Sequence, residues 1–341
     1  MRAIAVVSVL FVLCASAPAA EFPIKLTVTE NAGVARVNEP VTCGIPFPKG
    51  MLENVDKLAL KGPEGKLIPA AFTVINRWPE DGSVRWALLD TQLSVPADGA
   101  AAYTVTEGRV PATGGQPGPF VRNGVGDLSM TIGGVTYSVA NDKNRKAVVE
   151  EKNSVRLTRR ITGKLSAKNG KTSYDYVIRE HFYAGSGRVL VVPTIIKKYG
   201  KRRDISHRFQ DLSLSLKLVN ARNLTCALGG NKVPTIRKLG ADDSAHVLVR
   251  DSEHWTFGGV AKGGGNPKKE KPLTLGWASL SGENGGVAAG VYRFWQTHPK
   301  AIEVKGDGTM TVGLMPVLAG DPQDLAQSGG EPRRLFTGAY E

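Results

Sequence analysis

The sequence predicts an all-β chain of two domains, the second built from two large packed sheets. Three observations point there. Short runs of alternating apolar and polar residues recur along most of the chain, helical periodicity is nearly absent, and one Pro- and Gly-rich segment splits the runs into a shorter and a longer set. With 341 residues and 41% apolar content the chain can bury large cores without metal or disulfide support. It has no heptads or short repeats, which excludes coiled coils and solenoids.

Residues 1–20 read as a signal peptide. Arg2 supplies the positive start, Ile4 to Leu13 the apolar stretch, and Ala17-Pro18-Ala19-Ala20 the small residues a signal peptidase needs, so the mature chain is expected from Glu21. A lipid anchor through Cys14 is the rival, disfavoured by the bulk of Leu13. The expected location is secreted or periplasmic. No later run approaches the length of a membrane-spanning helix. The two later cysteines, Cys43 and Cys226, either form one disulfide between distant segments or stay as two buried thiols; neither has a CxxC or histidine context.

The whole chain carries a net charge of +13. Salt screens single surface charges over about 8 Å, so the excess mainly raises encounter rates with polyanions. Export argues against nucleic acid. The remaining anionic partners are uronic-acid polysaccharides, sulfated glycans and the cell envelope's lipopolysaccharide, and the bland alternative is a charge that serves solubility alone.

In the first domain, residues 21–108, strands are expected at Ile24–Thr29, Lys57–Leu60, Ala70–Trp78, Val84–Leu93 and Ala101–Val105. Pro79-Glu80-Asp81-Gly82 reads as a hairpin turn, with proline fixing the first corner and glycine tolerating positive φ at the exit. That register sets Arg77 opposite Val84 and Trp78 opposite Ser83, placing Arg85 within cation–π reach of Trp78 and Arg77 within reach of Trp86. Rings beside guanidinium groups suit an acidic sugar; alternatively, the two tryptophans fill a barrel core. Residues 109–119, in the stretch GRVPATGGQPGP, form the linker. The second domain, residues 120–320, is expected to use strands at Leu128–Ile132, Val135–Val139, Ser154–Thr162, Tyr174–Tyr183, Arg188–Lys197, Asp211–Val219, Leu273–Leu280, Gly286–Trp295 and Met310–Pro316. Residues 321–341 read as a tail.

The blocks Val41-Thr42-Cys43-Gly44-Ile45-Pro46-Phe47-Pro48-Lys49-Gly50 and Arg77-Trp78-Pro79-Glu80-Asp81-Gly82-Ser83-Val84-Arg85-Trp86 resemble the N-terminal RIFT-type barrel of exo-acting rhamnogalacturonan lyases. Gly276-Trp277-Ala278-Ser279-Leu280 and the block GGVAAGVYRFWQTHPK, Gly285 to Lys300, are similar to that family's second, supersandwich-like domain (galactose-mutarotase-like). The resemblance implies β-elimination at a galacturonate: a base takes the C5 proton, a cation neutralises the carboxylate, and an acid protonates the leaving oxygen. Family members usually add an α-helical toroid, which this sequence does not reach. The expectations are therefore a truncated product, a two-domain relative with reduced or different activity, or a separate toroid-bearing partner, and the alternative to a lyase is a non-catalytic carbohydrate-binding protein.

Two constellations suit that chemistry. Between two expected strands, Tyr199, Arg202, Arg203, His207 and Arg208 form a dense basic loop, with Arg202 and Arg203 to bind a uronate and Tyr199, His207 or Arg208 for catalysis; the alternative is a solvated charged loop. Near the end, Arg293, Trp295 and Thr297 share one face of an expected strand. Trp295 would stack on a sugar, Arg293 would bind its acid group, and His298 for catalysis and Lys300 for substrate binding would follow at the rim; the alternative is an aromatic core strand. His181, mid-strand, reads as a structural histidine, and His254-Trp255 as a lid or plain loop. Asp242, Asp243 and His246 lack metal-ligand spacing, and Gly263-Gly264-Gly265 lacks the context of a phosphate loop. No metal or cofactor is expected.

Overall fold

The computed structural model describes residues 22–108, 126–196, 209–219, 222–229, 235–249, 255–258 and 276–316. The expected signal peptide, linker, tail and basic loop lie outside the described residues, as does His254. Within them the regular structure is strand, with a single 3-10 turn at Val55–Lys57 and no α-helix. No helix among the described residues is long and apolar enough to cross a membrane.

The first domain packs two antiparallel sheets. One has the order β1 (Ile24–Thr29), β7 (Ala100–Glu107), β3 (Leu58–Lys61), β4 (Leu67–Ile68); the other is β2 (Arg36–Pro46), β6 (Val84–Val95), β5 (Ala70–Arg77). Alternation sends Ile45, Leu58, Leu60, Val84, Ala87, Leu89, Tyr103 and Val105 inward to one core. The sequence pattern missed β2, because Pro40 and Gly44 within it read as turn residues.

The hairpin forms in the expected register. Arg77 lies opposite Val84, Trp78 N–H donates to Ser83 O at 2.8 Å, and Gly82 at φ +72° donates back to Trp78 O at 2.9 Å. Arg85 stacks over Trp78 at 4.7 Å. Neither tryptophan fills the core. Irregularities around Asn76 shift the ladder, so Val84 and Ala87 face inward while Trp86, 37% exposed, lies outside over Gly44, where a Cβ would meet its ring at 3.3 Å. Arg77 does not stack on Trp86; it donates to the Glu53 and Gly82 carbonyls at 3.0 and 2.8 Å.

The second domain is built on an eleven-stranded antiparallel sheet. Its path runs β13 (Val189–Ile196), β12 (Thr172–Tyr183), β11 (Arg156–Ser166), β9 (Val135–Ser138), β8 (Asp127–Ile132), β14 (Asp211–Lys217), β22 (Thr309–Met315), β21 (Lys300–Lys305), β17 (Ser244–Val249), β18 (Trp255–Gly258), with β10 (Lys146–Lys152) beside β11. A four-stranded sheet, β16 (Thr235–Lys238), β15 (Thr225–Leu228), β19 (Trp277–Gly282), β20 (Gly285–Gly290), covers one end of it. Cys226, Leu228, Ala278 and Leu280 of the small sheet meet Val247, Ile302, Val304 and Met310 of the large one, which makes this end a sandwich. At the other end the large sheet curls on itself, bringing Leu128 and Met130 against Tyr176 and Ile178.

Three features matter for the site. The strand expected to run to Trp295 ends at Gly290, because Arg293 adopts φ +50° and turns the chain; Arg293 and Trp295 therefore do not share a strand face. Strand β10 contains a bulge between Val149 and Glu151, leaving Glu150 as an extra residue. Both cysteines are free thiols in separate cores, Cys43 against the first domain's and Cys226 within the second's, so the disulfide alternative falls.

Candidate functional site

The turn from β20 to β21 hangs on Phe294. Its ring is 2% exposed and sits on Gly276, where φ is +67° and a Cβ would lie 2.2 Å from Phe294 Cβ; any larger residue there would expel the ring. Thr297 closes the turn, its N–H and Oγ1 both donating to Arg293 O, at 3.0 and 2.9 Å. With Phe294 pinned inward, its neighbours face out. Tyr292 is 69% and Trp295 37% exposed, and the exposed Arg293 stacks over Tyr292 at 5.3 Å.

His298 Nδ1 lies 3.1 Å from Trp295 O. A carbonyl only accepts, so in the neutral ring Nδ1 carries the proton and Nε2 is the acceptor. Lys300 Nζ donates to the carbonyls of Thr297 and Pro299, and burial pushes its amine down to about 8. The structure thus brings Arg293, Trp295, His298 and Lys300 into one turn. Tyr199, Arg202, Arg203, His207 and Arg208 lie outside the described residues.

A second concentration of charge joins the domains. Asp90 of β6, 2% exposed, accepts from Thr42 Oγ1 at 2.6 Å, Asn153 Nδ2 at 2.9 Å and Arg156 Nη2 at 3.1 Å. Arg156 also donates to Glu151 Oε2 at 2.7 Å and reaches His181 Nδ1 at 3.3 Å, where Thr158 Oγ1 sits at 2.9 Å. Burial first, then the Arg156 charge, push His181 down to about 4, while burial pushes the Glu151 carboxyl up. Gln92 Nε2 adds a bond to Ala184 O at 2.8 Å, and Arg188 pairs with Glu39. His181 is thus held in a domain joint through Nδ1.

The sequence pattern missed Asp90, Glu151 and Arg156. The usable signal was the Glu150-Glu151 doublet shortly before the arginines of an expected strand, but only the ladder register shows that they meet.

The joint and the turn occupy opposite ends of the large sheet. Ala301 is level with Gly313, Ser213 and Ser129, and Ser129 with Ser138 and Ser166. Arg156 lies at the other end of β11 from Ser166, roughly 30 Å away at about 3.3 Å per residue.

Elsewhere, Asp243 Oδ2 accepts from Gly240 N–H at 2.7 Å and closes a turn, while His246 sits on β17 opposite Glu303, so they do not converge. Among the described residues no group of three His, Cys, Asp or Glu side chains is placed to hold a metal ion. A cavity of about 460 Å³ at the first domain's edge is lined by Val28, Glu30, Arg36, Val41 and Val95. Its one buried carboxylate is structural: burial would raise Glu30, but Arg36 and the Asp98, Ala32 and Val34 amides outweigh it and hold it at about 2.

Comparison with known proteins bears on the first domain. Residues 25–108 match the family described as PcRGLX-like N-terminal RIFT barrel domain. No curated protein matches the chain. Among solved structures, a protein in glycosyl hydrolase family 38 from Enterococcus faecalis is similar over 86% of this chain and 41% of its own, at 11% identity and a TM-score of 0.45. The chain thus spans less than half of that protein's length. The viral chemokine binding protein R17 of rodent gammaherpesvirus Peru is similar over 86% of this chain and 85% of its own, at 10% identity and a TM-score of 0.16. Neither likeness bears on function. The family match and the paired sheets make the first domain a RIFT barrel of the rhamnogalacturonan lyase-like kind, at the head of a chain that is all-β wherever it is described.

Proposed function

We propose that the protein is an exported carbohydrate-active protein that engages acidic pectin-type polysaccharide at the turn 292–300. The observation that carries this is the outward display of Tyr292, Arg293 and Trp295 around the buried Phe294. A pyranose ring stacks on an indole face while a guanidinium grips the neighbouring carboxylate, and the two side chains are separated by a single residue. The barrel's likeness to rhamnogalacturonan lyase-like proteins supports the same substrate class.

For β-elimination at a galacturonate, the turn supplies two of three groups. Arg293 neutralises the carboxylate, which acidifies the C5 proton, and His298 Nε2 takes that proton. The acid for the leaving oxygen falls to Tyr199 or His207 in this reading.

The test is incubation of purified protein with rhamnogalacturonan while recording ultraviolet absorbance of the unsaturated uronate, beside electrophoresis through pectin-containing gels. Growing absorbance makes it a lyase. Flat absorbance with retardation in pectin, relieved by Trp295→Ala, makes it a binding protein. Flat absorbance and free migration overturn the proposal.

A further inference from the structure

Strands β11 and β12 present two unlike faces. Ile161, Tyr176 and Ile178 point into the core. The opposite face carries Thr158 against His181, Arg160 against Arg179, and Thr162 against Val177. Like charges directly opposite on a ladder repel, so the Arg160–Arg179 pair needs an anion. The bulge in β10 supplies one: Glu150 forms a fork with Arg179 at 2.6 and 3.0 Å and stands 3.6 Å from Arg160 Nε. One carboxylate thus serves two guanidinium groups. Lys146, exposed opposite Thr162, adds a third cation to this face.

The sharing is unequal. Glu150 is committed to Arg179, whereas the Arg160 guanidinium makes no hydrogen bond among the described residues, and the Arg179 and Arg160 side chains are 40% and 42% exposed. In the next row, His181 Nδ1 faces Arg156, which only donates. Nδ1 is therefore the acceptor, and the neutral ring carries its proton on Nε2, for which the described residues offer no acceptor.

We propose that this outer face is a second recognition site for an acidic sugar, with Arg160 taking the uronate carboxylate, Arg179 and Lys146 adding positive field, and His181 Nε2–H bonding an oxygen of the same residue. The proposal rests on the reading that the protein engages acidic polysaccharide, and adds a place for it at the far end of the sheet from Trp295. Charge complementarity selects the occupant: an open guanidinium fork beside a surplus of cations fits a carboxylate and has nothing to offer a neutral sugar.

The test follows the His181 imidazole nitrogens and the Trp295 indole N–H by ¹⁵N NMR during titration with trigalacturonate, with galactotriose and inorganic sulfate as controls. Trigalacturonate is expected to shift both reporters and galactotriose neither. Arg160→Gln is expected to weaken the His181 response about tenfold and leave the Trp295 response unchanged. If the glutamine variant unfolds, Arg160→Lys, which keeps the charge and loses the fork, is read with the same expectation. Three outcomes overturn the site: a silent His181 beside a responding Trp295, which leaves the function standing; a His181 response indifferent to Arg160; or sulfate matching trigalacturonate at His181. Silence at both reporters removes the function as well.

Discussion

The two ends of the second domain use the same residue types to opposite ends. At the joint, Arg156 is 9% exposed and surrounded by Asp90, Glu151 and His181; at the turn, Arg293 is exposed and stacks over Tyr292. Burial makes the difference. A buried guanidinium has lost its water and must be repaid in hydrogen bonds from fixed partners, so its geometry is locked and no ligand is needed. An exposed one beside an aromatic face keeps much of its hydration and stays accessible to a further group. The contrast separates a residue that joins the domains from one that, in the proposed function, receives substrate.

The largest expected effect breaks the joint. Arg156→Ala leaves Asp90 and Glu151 without their cation and should cost about 3–5 kcal/mol in urea denaturation, with Asp90→Asn in the same chain recovering part of it. Loss under 1 kcal/mol would show that the joint is not what the buried charges hold. At the other end, Trp295→Ala should shift stability by no more than about 0.5 kcal/mol while lowering pectin affinity by about tenfold or more. A Trp295 variant that melts early but binds normally would reverse the contrast.

Acidity sharpens it further. His181 binds its proton less well folded, near pH 4, than its ordinary 6.5, so the unfolded chain takes up more protons between those values. Stability should therefore fall as pH drops from 6.5 towards 4, and His181→Gln should flatten that slope in thermal melts. Glu151, pushed up, opposes the trend by taking its proton more readily when folded. The smallest effect belongs to Lys300. Its amine titrates near 8, so pectin retardation should weaken as pH rises from 7 to 9, and Lys300→Arg should remove that dependence.

The sequence carried the strand class and the barrel hairpin as separate pieces. Alternation identified β11 and β12, and Pro79 with Gly82 fixed the Arg77–Val84 register, because turn chemistry is local. Strands β2, β4, β10, β15, β16, β17, β18 and β21 were missed: Pro40 and Gly44 mask the first, β10 is exposed along nearly its whole length and lacks alternation, and most of the others are only two to six residues long. The meeting of Asp90 with Arg156, and of Arg160 with Arg179, depends on domain docking and on ladder register, neither of which leaves a local mark. Arg293 illustrates the opposite error. Its spacing from Trp295 suits a strand, yet the need to bury Phe294 over Gly276 won and bent the chain.

The inserted residue in β10 deserves a last consequence. Adjacent side chains on a regular strand serve opposite sides, yet here Glu150 and Glu151 both serve one: the former clasps Arg179 and the latter Arg156. A single peptide link therefore connects the domain joint to the outer arginines. Removing one codon at this place would sever both clasps at once, a coupling that no exchange of one side chain for another would disclose.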